Sequence, residues 1–480
     1  MSSWTWRVFF TCWLVYSFFW TPYLVREHFP AVSLAEQGTL NVERYLGWSD
    51  DIFQGPSGGA FINNNPGASL TGAIPLLLFR PLLHKVDGWS LHPPTPARDD
   101  GELFWRALRE GRAFYFLLVE FLTVALVMAP ITAWVMAFLC SRLIAAGIAG
   151  MHAAAVSLLC GLATPILYRA AHLNHNLLVA DAGFAALLLL WDPHGRRLTG
   201  RNAALAGLLA GYAVLCDFSG LVVVATAALY VWLRGAGQRW RMLLAYGIGV
   251  LPGAAALALY QTWAFGSFYR PSQHYMLPTA PTVHGYRGFD WPSPVLMWAN
   301  FFDPRFGLFA YCPALLLAFA APFVKRVRYR MPQREMTIVW SYFTLFVLFC
   351  GANQYSWLQP LTGFRYLVPV VPALALLALQ TAQALPGVVR WLVGIAAGAQ
   401  SFVMAAAHEN NLRDSLSTLS RRQGALHWMI RLRETGLSVN RFLPALTWAA
   451  AAVAVICVWQ PFLAAQKRPG LAQSRIAERH

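Results

Sequence analysis

Trp13-Leu14-Val15-Tyr16-Ser17-Phe18-Phe19-Trp20-Thr21-Pro22-Tyr23-Leu24 reads as membrane-embedded chain, and after Val25 the sequence turns to Arg26-Glu27-His28. The next forty residues carry Glu36, Glu43, Asp50 and Asp51 and close on Asn63-Asn64-Asn65-Pro66-Gly67. Carboxylates at the end of an apolar segment, in a chain with few of them, point to chemistry at a lipid boundary. A channel or scaffold has no need of them there.

The surrounding composition supports that reading. The 480 residues are 57% hydrophobic and 12% charged, with a mean hydropathy of +0.46, which excludes an ordinary soluble domain. A crossing needs about 20 mostly apolar residues. Windows of that kind fall near 6–25, 114–138, 147–167, 176–191, 203–216, 219–233, 242–263, 307–324, 336–351, 366–385, 391–407 and 443–463. The expected fold is therefore an all-α polytopic membrane protein with about twelve transmembrane helices. The windows 203–216 and 219–233 are short enough to form a hairpin. The first window lacks a small-residue cleavage site behind it, so it reads as a retained helix and not a signal peptide.

The net charge of +16 does not indicate nucleic acid, because the basic residues fall largely between spans, as orientation signals do. Arg196, Arg197 and Arg201, then Arg234, Arg239 and Arg241, then Lys325, Arg326, Arg328, Arg330 and Arg334 mark the cytoplasmic side. Segments 26–112, 168–175, 264–306, 352–365 and 408–442 then face outward. The last fits poorly, since it holds Arg413, Arg421, Arg422, Arg431, Arg433 and Arg441. The seven cysteines are scattered through apolar stretches without paired spacing, which gives neither a disulfide framework nor a zinc site. No inverted repeat of the transporter kind is evident.

Within the long first loop, 31–45 reads as a short surface helix and 68–86, broken by Pro75 and Pro81, as a second interfacial helix; 88–101 is a loop. Ionisable groups at membrane helix ends are costly and call for explanation. Glu27 is expected to have a raised pKa suited to a general base, beside His28. Asp50 and Asp51 are alternative carboxylates, and Asn65 offers an amide to a polar ligand. His172, His175 and Asn176 are expected on one face entering the helix at 176, with Asp181 deeper. Arg270 and His274, in an aromatic-rich loop, suit a sugar or lipid phosphate. Arg365, in Gly363-Phe364-Arg365-Tyr366, suits a phosphate at a helix mouth. Asp217 has a place only if its two helices form a hairpin.

In this order the features resemble the GT-C superfamily of membrane glycosyltransferases, in particular the branch of protein O-mannosyltransferases and aminoarabinose transferases. Arg26-Glu27 lies where that branch has an Asp-Glu pair, Asn65-Pro66-Gly67 resembles its Lys-Pro-Pro turn without the lysine, and Gly363 to Tyr366 is similar to a Gly-x-Arg-Tyr segment. The resemblance implies a catalytic region over 1–385, with 26–112 its first external loop. Residues 386–480 then hold C-terminal helices, the basic external loop 408–442 and a short cytoplasmic tail. It implies transfer of a sugar from a polyprenyl-phosphate donor to a lipid, glycan or protein acceptor, at the outer face of a bacterial inner membrane. Glu27, Asp51 and Asp50 would be catalytic; His28, Asn65, His172, His175, Asn176, Arg270, Arg365 and Tyr366 would bind substrate. His274 would hold a divalent metal ion, as in some members. Rival readings are a lipid or polysaccharide transporter, a non-catalytic assembly subunit, and a ligase or polymerase of the O-antigen type.

Overall fold

The computed structural model describes residues 2–56, 58–91, 103–325, 327, 331–359, 365–409 and 411–466. The expected loop 88–101, the Gly363-Phe364 step, the tail from Lys467 and Arg326, Arg328 and Arg330 lie wholly or mostly outside the described residues.

The fold is almost entirely helical. α1 (Ser3–Phe18) is followed by α2 (His28–Gln37), a two-stranded antiparallel ribbon of β1 (Ile52–Gln54) and β2 (Ala60–Ile62), then α3 (Gly67–Leu78), α4 (Arg80–Val86) and α5 (Leu103–Arg109). α6 (Ala113–Thr123) and α7 (Ala129–Ala145) are joined by a π turn at Val124–Met128 into one helix of 33 residues. Pro130 has no N–H to donate, and the wider turn just before it absorbs the interruption. The Ala125 carbonyl inside that turn accepts from the Trp13 indole at 2.7 Å.

Next come α8 (Gly150–Leu162), α9 (Ile166–Arg169), α10 (His175–Leu190), α11 (Gly200–Cys216), α12 (Gly220–Arg234) and α13 (Arg239–Phe265). Beyond them lie α14 (Pro294–Phe302), α15 (Leu308–Tyr311), a 3-10 segment Pro313–Phe323, α16 (Gln333–Ala352) and α17 (Val371–Ala382). The last four are α18 (Gly387–Ala407), α19 (Leu412–Arg421), α20 (His427–Glu434) and α21 (Leu443–Gln466).

Among the described residues, five helices are long and apolar enough to cross a membrane: Ala113–Ala145, Arg239–Phe265, Gln333–Ala352, Gly387–Ala407 and Leu443–Gln460. Each contains most or all of an expected span. Others are shorter than expected. The 307–324 window is a four-residue helix and a 3-10 segment, because Pro313 and Pro322 break the α pattern.

α1 also stops early, at Phe18. Pro22 disfavours helical backbone at Thr21, whose N–H instead bonds the Ala171 carbonyl at 2.8 Å. The chain thereby runs beside the turn that follows α9, and Glu27 is buried. α2 begins at His28, three residues earlier than expected, and the second expected helix is split at Phe79 into α3 and α4.

α11 and α13 pack through facing glycines four residues apart, Gly207 and Gly211 against Gly249 and Gly253. A Cβ on Gly207 would fall 2.0 Å from the Tyr246 carbonyl oxygen, and one on Gly249 2.0 Å from that of Ala204. Small residues at this spacing let membrane helices approach backbone to backbone.

A carboxylate–histidine site in a two-chambered cleft

Five separate parts of the chain build one polar cavity. The linker before α2 supplies Arg26 and Glu27, the first-loop ribbon supplies Asp51, Asn63 and Asn64, and the start of α10 supplies His175. The turn between α11 and α12 supplies Asp217, and the chain before α17 supplies Arg365 and Tyr366. An outer cleft of about 1080 Å³ opens beside an inner chamber of about 180 Å³. Arg26, Asp51, His175 and Arg365 line both.

α10 starts here for a local reason. Asn174 caps it, accepting from the Leu177 N–H at 3.2 Å, so His175 and Asn176 occupy the first turn at the cavity wall. Glu27 is 3% exposed. One of its oxygens accepts from the Asn64 amide at 2.5 Å and from His175 Nδ1 at 2.6 Å, with Arg26 Nε at 3.8 Å. The other side of the His175 ring, Nε2, meets the Asn176 amide at 3.0 Å and Asp217 at 4.0 Å. Arg26 also pairs with Asp51, which accepts from the Asn63 amide at 2.7 Å.

Electrostatics reverse one expectation. Burial by itself raises the Glu27 carboxyl, but the His175 hydrogen bond and charge, with Arg26, outweigh it and hold the group well below the usual carboxylate range. Glu27 is a fixed anion, not a carboxyl poised near neutrality. Burial likewise works against the charge on Arg26, and Asp51 and Glu27 more than offset it.

Several expected site residues are placed elsewhere. His28 is fully buried and braces α2, with Nε2 at 3.2 Å from the Thr123 hydroxyl and Nδ1 beside Val25. Asn65 donates to the Val214 carbonyl at 2.8 Å and frames the loop without lining the cavity. The turn it opens is tight, since a Cβ on Gly67 would meet the backbone of Leu215 and Cys216 at 2.7 Å. Arg270 is exposed with its guanidinium over Tyr269. His274 stands off the cleft, 3.3 Å from the Tyr286 hydroxyl. Among the described residues no group of three His, Cys, Asp or Glu side chains could hold a metal ion.

Other expected residues do reach the site. Asp51 and, at the exposed rim, Asp50 line the outer cleft, and His172 and Asn176 line the inner chamber. His172 sits in the turn before α10, not on its face. Arg365 is fixed by Gln359, which accepts from its backbone N–H at 2.6 Å, and by the Tyr366 hydroxyl at 2.7 Å. Arg26, Asn64, Arg169 and Asp217 were not singled out as site residues. Asn64 neighbours the chosen Asn65, and Arg26 was visible in the opening motif; Arg169 had no motif, and Asp217 depended on the hairpin that α11 and α12 form.

Segment 408–442 turns inward as well. The His172, His408 and His427 rings follow one another at 5.6 and 5.8 Å between centroids. Burial pushes His408 down to about 3.

The fold and cavity define a mainly helical protein, with helices long and apolar enough to cross a membrane and a buried carboxylate–histidine site. Comparison with protein-family models, curated proteins and solved structures returns no match. The chemistry of the cavity therefore carries the functional reading.

Proposed function

We propose that this chain is an integral-membrane glycosyltransferase of the GT-C type, which moves a sugar from a polyprenyl-phosphate donor to a hydroxyl acceptor at the outer membrane face. The observation that carries it is the convergence of Glu27, His175 and Asp217 with Arg26 and Arg365 on one cleft beside apolar helix surfaces. Proton-accepting groups and cations thus share one enclosure, as transfer from a lipid phosphate requires.

In this reading His175 is the general base and Glu27 its positioning residue. Glu27 lines only the inner chamber, whereas His175 lines both. With Nδ1 donating to Glu27, Nε2 carries the lone pair; it accepts from the Asn176 amide at 3.0 Å and faces Asp217, and the acceptor hydroxyl takes the place of that amide. The acceptor oxygen attacks the anomeric carbon, the bond from that carbon to the phosphate oxygen breaks, and the phosphate leaves with the lipid and the electron pair. The acceptor proton passes to His175 Nε2, and Glu27 and Asp217 stabilise the resulting imidazolium, as a buried carboxylate does for a catalytic histidine. Arg365 and Arg26 offset the phosphate charge. No step is routed through a metal ion.

Asp217, a lone acidic residue between two apolar helices that would suit a transporter, lines this same cleft. Among the arginines of 408–442, Arg422 pairs with Glu409 at 3.5 Å and Arg431 with Glu434 at 2.9 Å, and neither lines the cleft.

The test is transfer by the purified, reconstituted chain from a panel of polyprenyl-phosphate sugars to lipid and glycan acceptors. Donor consumption should require both Glu27 and His175. Full activity in a folded Glu27→Gln variant, or no turnover or hydrolysis of any donor, would sink this reading.

A further inference from the structure

A second cavity lies at the other end of α16. The helix runs 20 residues, about 30 Å at 1.5 Å per residue, the thickness of a bilayer core. Its last turn and Asn353 face the cleft. Its first two thirds, from Gln333 to Leu345, instead wall a groove of about 1200 Å³, closed on the other side by Leu229 of α12 and by Pro322. α12 is shared in the same way, since Leu221 lines the cleft and Leu229 the groove. The two cavities therefore open at opposite faces.

The groove is part polar and part apolar: exposed Lys325 stands at its mouth with Gln333 and Thr337, and Leu229, Met336 and Leu345 give it apolar wall. Trp340 contributes its ring to the groove wall. The loop carrying Lys325 is densely basic in the sequence, with Arg326, Arg328, Arg330 and Arg334 following Lys325, and basic segments beside spanning helices attract anionic lipid headgroups.

We propose that this groove is a binding site for one anionic diacyl phospholipid. Its phosphate pairs with Lys325, and an acyl chain lies along Leu229, Trp340 and Leu345. The occupant is separate from the sugar donor, because it enters from the face opposite the cleft.

The experiment uses the full chain incorporated into mixed vesicles of phosphatidylglycerol and phosphatidylcholine, extracted in mild detergent and weighed intact by native mass spectrometry. Wild-type protein should retain one phosphatidylglycerol in preference to phosphatidylcholine. Lys325→Glu should weaken that preference about fivefold or more, the scale of a lysine's pull on an anionic surface. Ser341→Trp, which fills the groove, should abolish retention while the protein still elutes as a folded species. Equal retention of the two lipids, or retention unchanged in both Lys325→Glu and Ser341→Trp, would overturn the proposal. Glu27→Gln should retain lipid as wild type does, so the outcome is independent of whether the cleft transfers sugar.

Discussion

Glu27 is committed within the protein. Its hydrogen bonds to Asn64 and His175 make it a group that orients another, and this separates two substitutions. His175→Gln removes the proton acceptor and should lower kcat by roughly 10²–10⁴-fold with little change in donor KM. Glu27→Asp keeps the charge but withdraws it, so it should retain partial activity where Glu27→Gln has none. Equal rates for the two Glu27 variants would remove the positioning role. Acid sensitivity is also argued at this scale. Burial lowers His28 to about 4 from its ordinary 6.5, and His172 and His427 are depressed in the same direction. Such groups contribute stability that is fully present above pH 6.5 and is lost as pH falls from 6.5 towards 4, because only the unfolded chain takes up the proton. Glu27, also depressed, acts in a lower window, below the ordinary carboxylate pKa. The melting temperature of the detergent-solubilised protein should fall across the histidine window, and His28→Gln, which keeps a partner for Thr123, should flatten that fall. The His28 share is roughly 3 kcal/mol at most.

At the scale of elements, the fit between α11 and α13 holds the turn that presents Asp217. A side chain at Gly249 has to displace the Ala204 carbonyl. Gly249→Val should destabilise the protein by about 1–3 kcal/mol, read as a lowered denaturation midpoint, and should impair the site without touching it. Gly247, on the same helix with nothing within 4 Å of its Cβ position, is the control: Gly247→Val should be close to neutral. The early end of α1 belongs here too. Apolarity continued through Leu24, so the sequence suggested a longer helix; Pro22 and the bond to Ala171 ended it at Phe18. That shortening is what lets Glu27 reach His175.

For the whole molecule, the cleft and the groove should be reached from opposite sides of the membrane. Single cysteines at Ser49, in the cleft, and at Gln333, at the groove mouth, should react with an impermeant maleimide from opposite faces of sealed vesicles once exposed Cys457 is replaced by serine. Labelling of both from one face would contradict the orientation drawn from loop charge. By itself the sequence determined the helical class, the five long apolar helices and the polar clusters worth inspecting, because hydropathy and proline breaks act over one or a few turns. Tertiary structure alone decided which clusters meet. Glu27, Asn64, His175, Asp217 and Arg365 are far apart in the chain, and a hydrogen bond such as that between Glu27 and His175 depends on how helices pack, which no local pattern records. The same packing sent His28 and Asn65 into bracing roles, left Arg270 and His274 off the cleft, and made a partner of Asp217.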